Sequence, residues 1–276
     1  MIQYRTEYVT VFQSALFQTT STVISLDEHI VIVDPNWLPH EVREIQNYVE
    51  TIRGNKELYL LFTHGDFDHI IGYRAFPDAK TVGSIGLRNH PKKEHKLHLI
   101  REFDATYYLT RDYPIEFPEL DISIAEDAWQ LTLGGSTLHF YLAPGHSADG
   151  LFTVIEPLGV FVAGDYLSDF ELPFLYDSAK SYKHTVQKAL KIVERHEVQL
   201  LVPGHGLATG SQVEMRRRAH LALDHLERLT QAVMAGDEAA ISEMEKEHAF
   251  FSPSTQESHK ENVRIIRSEY TDRSAN

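Results

Sequence analysis

The chain has 276 residues, 42% hydrophobic and 24% charged, as in soluble globular proteins, and is long enough for one large domain or two small ones. A formal net charge of -14 argues against a nucleic-acid backbone as the main partner, and no apolar run is long enough to span a bilayer. With no cysteine, disulfides, thiolate metal sites and thiol nucleophiles are excluded. Any metal must be held by His, Asp, Glu or backbone oxygen, and 16 histidines are many for this length. The N-terminus has no signal-peptide core, so a cytoplasmic protein is expected. The expected partner is a small-molecule substrate, not a membrane or nucleic acid, with association into a homodimer left open.

In chain order, residues 20–26 and 30–33 read as a hairpin around Asp27-Glu28. Pro39 opens a helix with apolar positions Val42, Ile45, Val49 and Ile52, and Gly54 closes it. The apolar run 58–62 reads as a short buried strand. It ends in Thr63-His64-Gly65-Asp66-Phe67-Asp68-His69, four potential metal ligands between positions 64 and 69. Asp68 is expected to start a helix through Ile70-Ile71. Residues 88–126 are irregular. Positions 88–101 suggest an exposed helix, and the stretch with Tyr107, Tyr108, Tyr113 and Phe117 suggests a decoration or insertion more than core.

Residues 129–133 and 138–142 form a second hairpin around Gly134-Gly135, and 151–155 with 160–163 a third. A helix over 178–196 precedes a strand at 200–202. From Ser211 onward the chain is mostly helical, with Ser211 and Glu214 as a capping-box candidate, an interruption at Ser252-Pro253-Ser254 and frayed last residues. Two β-rich parts, each followed by helices, suggest a layered α/β sandwich.

Burying several ionisable groups together is costly unless something compensates their charge, and a divalent cation is the simplest compensation. Three further loops repeat the pattern of apolar strand, small residues, then ligand. They present His146 after Pro144-Gly145, Asp165 after Gly164 and His205 after Pro203-Gly204. If these loops share one end of the strands, seven groups converge: His64, Asp66, Asp68, His69, His146, Asp165 and His205. Seven are too many for one tetrahedral ion and suit two ions sharing a carboxylate. His90, His95 and His98 read as solvated side chains, and His184 and His196 as lying on a helix surface. Asp34, before Pro35, reads as a turn residue or a support for the site, structural first.

The ordered set of a loop of His-x-Asp-x-Asp-His form, then separate His, Asp and His, resembles the metallo-β-lactamase superfamily over about residues 10–210. The resemblance implies an α/β fold, a four-layer αββα sandwich with metals at the edge between two sheets. It implies one domain over 1–276, with 88–126 as an insertion and 211–276 as a mostly helical extension. It also implies that His64, Asp66 and His146 hold one ion, Asp68, His69 and His205 the other, and that Asp165 bridges them. Asp66 departs from the family pattern, which has histidine there. It could bind metal, hydrogen-bond a ligand histidine or leave a gap; ligation is the reading taken.

The two cofactors expected are divalent metal ions, zinc by family, with manganese or iron favoured by the hard oxygen of Asp66. The implied function is a metallo-hydrolase in which a hydroxide bridging two ions attacks a small ester, lactone, thioester, amide or phosphoester. Asp68 would accept or orient the proton, and Tyr166 would stabilise an oxyanion. Phe170, Leu172, Phe174 and Tyr176 would line an apolar pocket. The alternatives are a non-haem di-iron oxidoreductase of the same fold and a metal-binding protein without turnover.

Overall fold

The computed structural model describes residues 1–271; the expected fraying of the last residues falls on positions outside them. Strands β1 (Ile2–Arg5), β2 (Val9–Gln13), β3 (Thr20–Ser25), β4 (His29–Val33), β5 (Glu57–Leu61), β6 (Lys80–Ser84) and β7 (Ile122–Ile124) lie in that order in a seven-stranded sheet. Pairing is antiparallel from β1 to β4 and parallel from β4 to β7. The switch follows from the first long crossover, helix α1 (Pro39–Arg53). Proline suits the first turn, where its missing N–H has no partner to lose. Val42, Ile45 and Val49 bury one stripe of this helix, and Gly54 ends it at φ +50°.

Residues of β4 alternate between two environments. Ile30 and Ile32 pack with Val42, Ile45 and Val49 on the outer face, while Val31 and Val33 face the second sheet. Burial on both faces explains why this strand reads as a continuous apolar run.

The second sheet contains β8 (Trp129–Leu133), β9 (Ser136–Leu142), β10 (Leu151–Glu156), β11 (Val160–Val162) and β12 (Leu200–Val202), in the order β12-β11-β10-β9-β8. Short helices α2 (Phe67–Ile70) and α3 (Ile85–Arg88) and the longer α4 (Lys93–Thr106) flank the first sheet. Helices α5 (Ala179–Arg195), α6 (Gln212–Ala235), α7 (Glu238–Glu245) and α8 (Pro253–Thr271) build the outer layer of the second. Phe152, Val154 and Phe161 meet Val186, Ala189, Leu226 and Leu229 there, and Tyr59, Leu61, Phe140 and Val162 fill the space between the sheets. Three interlayer cores make the expected αββα sandwich.

Four local expectations are corrected. The stretch 88–126 is not decoration: Leu97, Ile100, Tyr113, Phe117 and Leu120 belong to the outer core of the first sheet, and β7 completes that sheet. Arg111 pins the region by paired bonds to Asp104 at 2.8 Å and a third to the Trp37 carbonyl at 2.9 Å. The residue preceding the helix after the ligand loop is Asp66, not Asp68, and its side chain makes no capping bond because it faces the ligand cluster. Only half of the capping box forms: Ser211 accepts from the Glu214 amide, while the Glu214 carboxylate binds Arg217 and Arg218. His196 is buried, not on a helix surface.

Candidate metal centre

Every ligand loop leaves the C-terminal end of a strand: 63–69 after β5, 143–147 after β9, 164–165 after β11 and 203–205 after β12. The sheets deliver these ends to one rim. Sharp bends aim the side chains inward. Gly145 adopts φ +128°, and a Cβ there would lie 2.2 Å from the Tyr182 backbone nitrogen. Gly145→Ala is therefore expected to destabilise the protein by more than about 3 kcal/mol, checked by urea unfolding of the metal-free protein. An ordinary midpoint would show that the 143–147 loop can relax.

All seven predicted ligands meet. Asp165 stands in the middle, with carboxylate oxygens 3.6 Å from His64 Nε2, 3.1 Å from His69 Nε2, 3.3 Å from His146 Nε2 and 3.3 Å from His205 Nε2. Asp66 Oδ2 lies 3.5 Å from His146 Nε2 and 3.9 Å from His64 Nε2. Asp68 Oδ2 lies 3.6 Å from His69 Nε2 and 3.5 Å from His205 Nε2. The ligand atoms of His64, Asp66 and His146 fall within 4.8 Å of one another, as do those of Asp68, His69 and His205.

His64 Nε2, His69 Nε2, His146 Nε2 and Asp165 Oδ1 are buried with no hydrogen-bond partner. Buried polar atoms without partners are costly, and here they aim at common points. This donor set, imidazole nitrogen with carboxylate oxygen, fits two divalent cations.

The opposite nitrogens of the rings are held. His69 Nδ1 is 2.9 Å from Asp34 Oδ2, His146 Nδ1 is 2.9 Å from the Phe174 carbonyl, and His205 Nδ1 is 2.9 Å from the Phe17 carbonyl. Each acceptor calls for a proton on Nδ1, which leaves Nε2 unprotonated for a metal. Asp34, read from sequence as structural first, is thus a support of the site, and it also accepts from the Thr63 amide at 2.9 Å.

Electrostatics in the metal-free cluster are strongly mutual. Burial drives His64 well below its ordinary value. Burial opposes charge on His205, yet Glu171, Asp165 and Asp68 outweigh it and raise this histidine to about 10. Burial likewise opposes the Asp165 carboxylate, but the surrounding imidazoles, His205 and His69 foremost, hold it well below the usual carboxylate range.

Sequence reasoning missed two groups. Lys96, from the α4 helix taken as solvated, donates to Asp66 Oδ1. Glu171 lies 3.9 Å from His205 Nδ1, and burial pushes its carboxyl up to about 7. Lys96 does not stand out in a run of ordinary charges, and only the packing of Leu97 and Ile100 fixes which face of α4 looks inward; Glu171 is hidden among the aromatic residues that drew the pocket reading. Tyr166 is corrected. Its hydroxyl donates toward the Ala143 and Pro144 carbonyls and accepts from the His146 amide at 2.9 Å, so it shapes the ligand loop and is not an oxyanion donor.

Phe170 and Phe174 line a cavity of about 430 Å³ with Phe17, Phe250 and Glu171. Tyr176 lies outside that cavity, against the His146 ring at 5.3 Å with its hydroxyl on Ser258. A separate His139, Glu156 and His196 group differs from the main cluster because its members already satisfy one another, at 3.0 Å and 2.7 Å. Among the described residues no helix is long and apolar enough to cross a membrane.

No curated protein matches the chain by sequence. Solved structures do share its fold. A metallo-beta-lactamase from Pontibacter korlensis aligns with TM-score 0.56 at 18% identity, over 82% of this chain and 98% of its own. A metallo-beta-lactamase family protein from Thermus thermophilus aligns with TM-score 0.68 at 15% identity, over 95% of this chain and 93% of its own. The stereoselective inverting sec-alkylsulfatase Pisa1 from Pseudomonas sp. aligns with TM-score 0.72 at 12% identity, over 98% of this chain but 50% of its own. The family profile described as the Metallo-beta-lactamase superfamily matches residues 15–205, a span that contains every convergent ligand. With the fold, the order of the ligand loops and this match in agreement, the chain belongs to the metallo-beta-lactamase superfamily.

Proposed function

We propose that the protein is a metal-dependent hydrolase of small compounds with an apolar part, acting on an ester, lactone, thioester or phosphoester. The observation that carries this reading is the cluster of His64, His69, His146 and His205 with Asp66, Asp68 and Asp165, in which the unpartnered Nε2 atoms of His64, His69 and His146 aim inward beside an apolar cavity. His64, Asp66 and His146 would hold one ion and Asp68, His69 and His205 the other, with Asp165 shared. Two divalent ions supply an activated water near neutral pH and polarise the scissile group.

The chain's own residues do the rest. Asp68, raised by burial, holds or accepts the proton of the attacking water at a carboxylate oxygen. Glu171 stands where the cluster meets the cavity, placed to hand a proton to a departing oxygen. Phe17, Phe170, Phe174 and Phe250 exclude water and bind the apolar portion.

The test is turnover of chromogenic esters, lactones, thioesters, phosphodiesters and alkyl sulfates by protein loaded with zinc, manganese or iron. The sulfates enter because of the neighbouring alkylsulfatase. Expected is hydrolysis that a chelator abolishes and that favours apolar acyl or aryl groups. Two ions bound with no turnover across the panel would sink the enzymatic reading.

A further inference from the structure

We propose that Lys96 is a positioning residue that fixes Asp66 as a one-oxygen metal ligand and keeps the ion at His64, Asp66 and His146 electrophilic. The proposal rests on reading those three residues as a ligand set. Asp66 divides its two oxygens: Oδ2 faces the His64 and His146 nitrogens, while Oδ1 takes the ammonium of Lys96. A lysine is long and loses much rotamer freedom when held. This one is nonetheless largely buried, with its side chain 16% exposed, because Leu97 and Ile100 anchor α4 against the first sheet. A buried cation next to a cluster that would hold divalent ions would be repelled unless an anion lay between them. Asp66 is that anion.

The consequence follows from charge and geometry. A free carboxylate can chelate a cation with both oxygens and give it its full negative charge. With Oδ1 occupied by an ammonium, Asp66 offers a single, weaker oxygen. The cation is then held less tightly and has one more coordination position for water or substrate. Lys96 thus gives up metal affinity at this site for Lewis acidity.

Lys96→Met keeps the length of the side chain and removes the charge. Two readouts need no turnover. In competition against a chromophoric chelator, the Lys96→Met protein is expected to bind one of its two zinc ions about tenfold more tightly. With cobalt in place of zinc, its visible absorption is expected to weaken as Asp66 binds through both oxygens and the coordination number rises. Lys96→Arg should retain the parent affinity and spectrum, which separates these effects from a folding defect. In an Asp66→Asn background, Lys96→Met should leave zinc affinity unaltered, because Lys96 acts through that carboxylate.

Unchanged affinity and spectrum in Lys96→Met would overturn the proposal. So would an affinity change that persists in the Asp66→Asn background. A rise in KM confined to anionic substrates, with metal binding intact, would make Lys96 a substrate clamp and likewise overturn it. Failure of the hydrolase reading would instead appear as absent turnover in a protein whose metal titrations behave as described.

Discussion

Asp165→Ala is expected to lower kcat/KM by about 10³ or more and to reduce the bound metal from two ions to at most one. Among the described residues, no other carboxylate lies beside all four ligand histidines, at 3.1–3.6 Å. Removing it takes a shared oxygen donor from both ions and leaves them to repel each other across the space it filled. A thousandfold loss corresponds to about 4 kcal/mol of transition-state stabilisation. The measurement pairs metal content by mass spectrometry with kcat/KM. Two ions retained at full activity would exclude Asp165 as a shared ligand.

Together with Glu171, the carboxylate that acts most strongly on His205, the same residue sets a pH dependence of metal uptake. His205, raised to about 10 in the metal-free protein, carries a proton that a cation must displace. Because its folded value lies above the ordinary 6.5, protonated His205 contributes stability fully below 6.5, and that contribution is lost as pH rises through about 10. Proton and metal compete for one nitrogen, so apparent metal affinity should climb with pH over this window. In Asp165→Ala, one of the carboxylates that favours the proton is gone and the climb should level off at lower pH.

The candidate metal centre was more legible in the sequence than its surroundings were. Ligand loops announce themselves because the chemistry needs rare residue types at short spacing, as in His64 to His69, and glycines such as Gly145 where the backbone must approach Tyr182 closely. The apolar runs of β4 and β5 gave the sheet because both of their faces are buried. Lys96 and Glu171 were illegible for the opposite reason. Lys96 is one lysine in a charged stretch and Glu171 one acid among aromatic and aliphatic residues; each is brought to the candidate site by the face its segment turns inward, and that is decided by contacts distant in the chain. Residues 107–120 misled for a related reason: their aromatic side chains have no helix or strand period, yet Tyr113 and Phe117 are core.

Asp34 shows how much of the centre lies outside the ligand set. It sits at φ +43°, a backbone conformation that favours Asn, Asp and Gly. One carboxylate oxygen accepts from the Thr63 amide at 2.9 Å. The other accepts from the Thr63 hydroxyl at 2.5 Å and faces His69 Nδ1 at 2.9 Å. Asp34→Asn keeps shape and backbone preference but exchanges one acceptor for a donor. The lost acceptor is expected to free His69 to place its proton on Nε2, the nitrogen the metal needs, and to lower affinity for one ion about 10–100-fold. Asp34→Ala removes all three acceptor contacts and leaves buried donors unpaired, at an expected cost of about 3–5 kcal/mol in folding stability. Metal titration of Asp34→Asn, with urea unfolding of both variants, separates the two effects. If Asp34→Asn binds metal like the parent protein, the tautomer of His69 is set elsewhere and Asp34 serves the fold alone.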